Sequence, residues 1–136
     1  MTVSPVYAES EELVALVRDA SKLPGRDYVI VDVRGDDFRG GHIPGAINVP
    51  ANTMYDKAND LIQQYSHVPE IYFHCALSQV RGPKSARIYS ETINNLGKET
   101  DQKVKILRYG FEGWHSKYKQ EEDLIEDYDA SVWQWA

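Results

Sequence analysis

The sequence predicts a single α/β domain, with a central, mostly parallel β-sheet and helices on both faces. Apolar, β-branched segments alternate along the chain with segments of helical periodicity, which is the pattern of strands joined by crossover helices. The most apolar segment, residues 28–33, suits a strand that is buried on both faces in the middle of a parallel sheet. The length of 136 residues suits one core, and no linker or internal repeat divides the chain.

Five strands are predicted, most of them bounded by turn residues. A short edge strand is expected first, and the central strand follows a break at Pro24 and Gly25. A glycine-rich turn precedes the third strand, which ends at Pro50 because proline cannot donate to a sheet ladder. The last two strands are short apolar runs. The predicted ranges are 3–7, 28–33, 46–49, 71–74 and 104–107.

Four helices are predicted between and after these strands. Ser10 is expected to cap the first, and Glu11 and Glu12 lie in its first turn, where the helix dipole favours carboxylates. Pro83 is expected in the first turn of the third helix, where no N–H group is needed. The predicted ranges are about 11–21, 55–65, 83–96 and 111–119.

Composition and charge weigh against several kinds of partner. A net charge of −6 argues against nucleic acid, whose phosphates need a basic surface, and no apolar run reaches membrane-spanning length. One cysteine cannot form an internal disulfide, so the expected location is the reducing cytoplasm or the nucleus. No metal site is expected, because that cysteine and the scattered histidines give no zinc quartet. The histidines are His42, His67, His74 and His115.

The only cysteine, Cys75, lies between a predicted strand and a predicted helix in the run HCALSQVRG, and Arg81 follows it after five intervening residues. A strand, a tight loop and a helix N-terminus bind anions well, because the loop N–H groups and the helix dipole converge on one point. A thiol in such a position ionises readily, and a guanidinium can hold an oxyanion with two hydrogen bonds. The pattern therefore predicts a nucleophile facing a phosphate-sized pocket.

Two further blocks, together with the Cys75 loop, resemble the rhodanese fold. The first contains DVR, DF and GHIPGAINVP within residues 32–50, and the second is LRYGFEGW at residues 107–114. The resemblance covers roughly residues 5–120 and implies one rhodanese-like domain across residues 1–136. Residues 121–136 form an acidic, tryptophan-containing tail after that core.

The length of the cysteine loop indicates which groups within the rhodanese fold this chain resembles most. Rhodanese sulfurtransferases have a shorter loop, whereas His-Cys-x5-Arg-Gly-Pro is similar to M-phase-inducer dual-specificity phosphatases and eukaryotic arsenate reductases. The resemblance implies that Cys75 is the nucleophile, that Arg81 clamps the oxyanion and that His74 supports the loop. The backbone amides implied to hold the oxyanion belong to Ala76, Leu77, Ser78, Gln79, Val80 and Arg81.

The chain also departs from the phosphatase pattern. Ala76 stands where those phosphatases carry a glutamate that can protonate the leaving group. Those phosphatases also carry a second, protective cysteine, which this chain lacks. Leaving-group protonation is worth about 10²–10⁴-fold, so aryl and phosphotyrosine-like esters are favoured over alkyl esters. Asp36 and Asp37 are conceivable general acids. The expected partner is a phosphate- or arsenate-type oxyanion, free or on a phosphoprotein, and no cofactor is expected.

Two alternatives remain open beside the phosphatase. In an arsenate reductase, Cys75 would attack arsenic, and glutathione or glutaredoxin would act as the external reductant. In the other alternative, the chain is a catalytically weak binding module that recognises partners through its acidic tail with Trp133 and Trp135. Intact Cys75 and Arg81 argue against the binding module.

Overall fold

The computed structural model describes residues 2–134, whose strands form one five-stranded sheet. All neighbouring strands are parallel, in the order β1-β5-β4-β2-β3. The strands are β1 Val6–Ala8, β2 Val29–Asp32, β3 Ile47–Asn48, β4 Glu70–His74 and β5 Lys103–Leu107. Helices cover both faces of this sheet, so the predicted α/β class is confirmed.

Four α-helices connect or follow the strands, as predicted. They are α1 Ser10–Arg18, α2 Met54–Tyr65, α3 Arg81–Leu96 and α4 Gly110–Tyr118. The expected cap at Ser10 is wrong, because Glu9 occupies the cap position and Ser10 is the first helical residue. The Ser10 hydroxyl instead bonds the carboxylate of Glu11 and the hydroxyl of Tyr118.

The first strand begins three residues later than predicted. The backbone N–H of Val3 donates to Asn94 Oδ1 at 2.8 Å, and Asn94 Nδ2 donates to the Val3 carbonyl at 2.9 Å. A side chain of α3 therefore occupies the backbone groups of Val3. Residue 3 does not join the sheet, and pairing with β5 starts at Val6.

Alternate residues of the central strands enter two separate cores. Val29 and Val31 pack with α2 and α3 on one face, whereas Ile30 packs with α1 and α4 on the other. This double burial explains why the strand is apolar at consecutive positions. The second core also contains Leu124 and Ile125, so it extends past the region of the rhodanese resemblance.

The parallel arrangement brings the carboxyl ends of all five strands to one edge of the sheet. β4 lies between β5 and β2, so the loops that follow these three strands meet there. This edge holds the Cys75 loop. Within residues 2–134, no helix is long and apolar enough to cross a membrane.

Candidate active site

Cys75 lies directly after β4 and is buried, with 3% of its surface exposed. The backbone N–H groups of Ser78 and Gly82 both donate to its Sγ atom, each at 3.2 Å. Ser78 adopts a left-handed conformation with φ of 53°, which turns the loop back over the sulfur. The N-terminus of α3 follows at once, and the Gly82 N–H that donates to Sγ belongs to its first turn.

The N-terminus of α4 holds the outer side of this loop. The carbonyls of Cys75 and Ala76 accept hydrogen bonds from the N–H groups of Phe111 at 2.9 Å and Glu112 at 2.8 Å. Gly110, with φ of +60°, allows this approach, because a Cβ there would lie 2.5 Å from both carbonyl oxygens. The loop carbonyls are therefore engaged by α4.

The loop amides are left available to an anion. Within residues 2–134, apart from the Ser78 N–H, the amides that the sequence singles out donate to no protein group. These amides belong to Ala76, Leu77, Gln79, Val80 and Arg81. With Cys75 the same residues line a pocket of about 170 Å³. The structure thus brings five of the six predicted oxyanion-binding residues to the lining of one small pocket, whereas the Ser78 N–H donates to Sγ. Their role remains a prediction.

The Arg81 guanidinium is engaged by a carboxylate in this structure. Its Nη1 and Nη2 atoms donate to the two carboxylate oxygens of Asp37 at 3.0 and 2.7 Å. This pair lowers the pKa of Asp37 and raises the pKa of Arg81, mainly through the hydrogen bonds. Both side chains are partly exposed, at 38% and 46%, so the guanidinium is free to exchange partners. A carboxylate with a lowered pKa is a poor proton donor, which argues against Asp37 as a general acid.

His74 is completely buried beside the buried ion pair of Asp32 and Arg34. Its Nδ1 atom lies 3.0 Å from the Cys75 carbonyl oxygen, so in the neutral ring Nδ1 carries the hydrogen and donates to that carbonyl. Burial lowers the pKa of His74 and outweighs the charge of Asp32, whose Oδ2 is 3.7 Å from Nε2. A neutral His74 thus donates to the loop backbone, and its supporting role remains a prediction.

A second, larger cleft adjoins the Cys75 pocket. Its volume is about 430 Å³, and Ala76 lines both cavities. The cleft is lined by Arg34, Asp36, Asp37, Arg39, Ala76, Glu112, Val132 and Trp133. Arg39, Glu112 and Val132 were not predicted as site residues from the sequence. Trp133 was predicted only as part of the tail, and the one signal for it was the pair of tryptophans at positions 133 and 135.

The C-terminal tail is docked on the domain as far as the structure describes it. The Trp133 ring stacks on His115 with centroids 3.9 Å apart, and its indole N–H donates to the Gly40 carbonyl at 3.1 Å. Trp133 is therefore half-buried against the body of the protein. Trp135, the other tryptophan of the binding-module alternative, lies outside the described residues.

Within residues 2–134, no group of three or more His, Cys, Asp or Glu side chains is placed to hold a metal ion. The Cys75 pocket presents a thiol, loop amides and the Arg81 side chain. This set of groups can attack an electrophilic centre and bind the oxygens around it.

Proteins that are similar to this chain in sequence or structure include a phosphatase and two reductases of arsenic compounds. A model of the rhodanese-like domain matches residues 11–117. The dual specificity phosphatase ibp1 of Schizosaccharomyces pombe is 34% identical over 112 residues, covering 71% of this chain and 81% of that protein. Arsenate reductase 2.2 of Oryza sativa subsp. japonica is 30% identical over 110 residues, covering 79% and 80% respectively. The solved As-Sb reductase of Leishmania major superposes with a TM-score of 0.73 at 29% identity, covering 90% of this chain and 85% of that one.

Proposed function

Since this chain belongs to the rhodanese-like domain family and its relatives are phosphatases and arsenate reductases, we propose that it is a cysteine-dependent phosphatase. Its substrates are phosphotyrosine-like or other aryl phosphate esters. The observation that carries the proposal is the amide-lined pocket around Cys75, in which two N–H groups already donate to Sγ. The adjoining cleft supports an ester substrate, because inorganic arsenate has no organic group to place there.

The proposed reaction has two steps. The Cys75 thiolate attacks phosphorus, the bond from phosphorus to the aryl oxygen breaks, and the leaving phenol takes its proton from water. Water then hydrolyses the phosphocysteine, which releases inorganic phosphate and restores the thiolate. The loop amides and Arg81 stabilise the charge on the phosphoryl oxygens in both steps. This requires Arg81 to leave Asp37, which its partial exposure permits.

Hydrolysis of an aryl phosphate at mildly acidic pH tests the proposal. Turnover should be inhibited by vanadate and abolished in Cys75→Ser, because the serine hydroxyl does not ionise in this range. Arg81→Lys should lower kcat/KM by about 10²–10³-fold, because a point charge cannot replace the two-pronged guanidinium. Arg87→Lys, the same exchange at an exposed position of α3, is the matched control and should leave kcat/KM unchanged. Full turnover in Cys75→Ser would refute the proposal.

Arsenate reduction is the second candidate, favoured by the rice relative and by the lone cysteine. In this reaction Cys75 attacks arsenic and displaces water. An external thiol such as glutathione then gives arsenite, and the two sulfur atoms end as a mixed disulfide that glutaredoxin reduces. Arsenic gains the two electrons that the two thiols lose. Arsenate-dependent consumption of glutathione should then require Cys75, and hydrolysis of esters without such consumption would refute this candidate.

A further inference from the structure

The tail of the chain is built into the domain next to the proposed active site. The indole N–H of Trp114 donates to the Leu124 carbonyl at 2.8 Å, and Leu124 is fully buried. Glu126 and His42 exchange two backbone hydrogen bonds, at 2.8 and 3.0 Å. These contacts hold the tail just before the turn that leads to Trp133.

Trp133 is held in one position by several contacts. Its ring stacks on His115 with an interplanar angle of 14°, and it also contacts Phe111 with ring centroids 5.8 Å apart. Gly40 permits the approach of the tail, because a Cβ there would lie 2.8 Å from Val132 Cγ1. Trp133 therefore forms a fixed aromatic wall of the larger cleft, with Val132 beside it.

We propose that this cleft is the binding site for the aromatic ring of the substrate, with Trp133 as the residue that determines this preference. The inference rests on the proposed function and identifies its substrate class more closely. Ala76 lines both the cleft and the Cys75 pocket, so a phosphate held by the loop amides would place its organic group toward the cleft. A flat, apolar ring gains most from a wall of this kind, because an indole offers a face for offset stacking.

The charged residues of the cleft indicate which charge the organic group of the ligand should carry. Arg34 is paired with Asp32, and Asp37 is paired with Arg81. Two carboxylates, Asp36 and Glu112, then remain in the cleft against one guanidinium, Arg39, and Asp37 adds a third negative charge when Arg81 turns to a bound phosphate. This excess of negative charge disfavours an acidic ligand such as glutathione. The ligand class is therefore an aryl phosphate monoester whose organic group is neutral or cationic.

Protection of Cys75 from alkylation measures this preference without turnover. Iodoacetamide modification is followed at increasing concentrations of phenylphosphonate or methylphosphonate, which differ only in the organic group. Phenylphosphonate should protect wild-type protein at about 3- to 10-fold lower concentration than methylphosphonate. Trp133→Leu keeps apolar bulk on His115 but removes the aromatic face. It should abolish the phenyl advantage and leave protection by methylphosphonate unchanged.

Two further variants are controls, one within the tail and one at a distant exposed aromatic residue. Trp133→Phe keeps an aromatic face and should retain most of the phenyl advantage. Tyr55→Ala removes an aromatic side chain that is 75% exposed and lines neither cavity, so it should change neither protection constant. Equal protection by the two phosphonates in wild-type protein, or an undiminished phenyl advantage in Trp133→Leu, would overturn the inference. Phenyl-selective protection without aryl phosphate hydrolysis would instead refute only the proposed phosphatase activity.

Discussion

At the scale of single residues, Arg81 has two competing uses. In this structure it forms two hydrogen bonds with Asp37, and in the proposed reaction it must hold the phosphoryl oxygens. Because Asp37 is negatively charged, it competes with an oxyanion for the guanidinium and also repels that oxyanion. The balance between these partners sets how strongly the pocket binds phosphate.

Replacement of Asp37 tests this competition. Asp37→Asn should strengthen protection of Cys75 by phosphate by about 3- to 10-fold, because a competing charge next to the pocket is removed. The measurement is the phosphate dependence of iodoacetamide modification. Asp36→Asn is the matched control, because Asp36 shares the cleft but not the Arg81 hydrogen bonds, so its effect should be smaller. Weaker phosphate binding in Asp37→Asn would mean that Asp37 orients Arg81 for the anion.

His74 provides a prediction on pH dependence. Burial lowers its pKa in the folded protein, whereas after unfolding the pKa returns to about 6.5. Below that value the unfolded chain binds more protons than the folded one, so the free energy of unfolding falls as the pH falls. Urea unfolding of wild-type protein between about pH 7 and about pH 5 should therefore show a steeper loss of stability than His74→Asn. Equal slopes for the two proteins would show that His74 is not the responsible group.

At the scale of elements, the site depends on how closely α4 approaches the Cys75 loop. The carbonyls of Cys75 and Ala76 accept hydrogen bonds from the first turn of α4, and Gly110 leaves room for them. Two helices therefore determine the conformation of the loop. An N–H group of α3 donates to the sulfur, and N–H groups of α4 donate to the loop carbonyls. A change in α4 should reach the thiol although no side chain of the loop is altered.

Substitution of two glycines with nearly the same backbone conformation distinguishes the effect of backbone strain from the effect of a steric clash. Gly110 and Gly97 have φ values of +60° and +64°, but only at Gly110 would a Cβ meet other atoms. Gly97→Ala should cost about 1 kcal/mol of stability and leave the alkylation rate of Cys75 unchanged. Gly110→Ala should lower that rate strongly, because it pushes the two carbonyls away. Equal alkylation rates in both variants would argue that α4 does not shape the loop.

The sequence was sufficient for the parts of the site that are local in the chain. Strand β4, the loop and the start of α3 follow one another, so their apolar residues, turn residues and proline predict the anion pocket. The partner of Arg81 was missed because Asp37 lies in a different loop, and only the parallel order of β4 and β2 brings them together. The cleft wall was missed for the same reason, because Trp133 meets Gly40 through the fold of the tail.

At the scale of the whole molecule, the tail is part of the second core. Leu124 and Ile125 pack there with residues of α1 and α4, and the backbone of Glu126 pairs with His42. The acidic residues around them include Glu121 and Asp123, which pair with Arg18 of α1. Stability and the aromatic wall of the cleft thus depend on the same segment.

Truncation of a tail side chain should therefore affect the whole fold. Leu124→Ala should lower the free energy of unfolding by about 2–5 kcal/mol, because a fully buried leucine leaves a cavity. Leu23→Ala, at a leucine that is 49% exposed, is the control and should change it by less than about 0.5 kcal/mol. Urea unfolding measures both. A small effect at Leu124 would show that the tail is dispensable for the core.

The pairing of the first strand with the last has a consequence for synthesis on the ribosome. β1 lies at the sheet edge against β5, with Val6 opposite Lys105 and Ala8 opposite Leu107. Translation proceeds at about 5–20 residues per second, so the nascent chain keeps its first strand without a partner for about 5–20 s. During that interval Val6 and Tyr7 are available to other chains or to chaperones. The rate of translation, more than the strand propensity of residues 6–8, therefore determines when β1 can pair with β5 and complete the sheet.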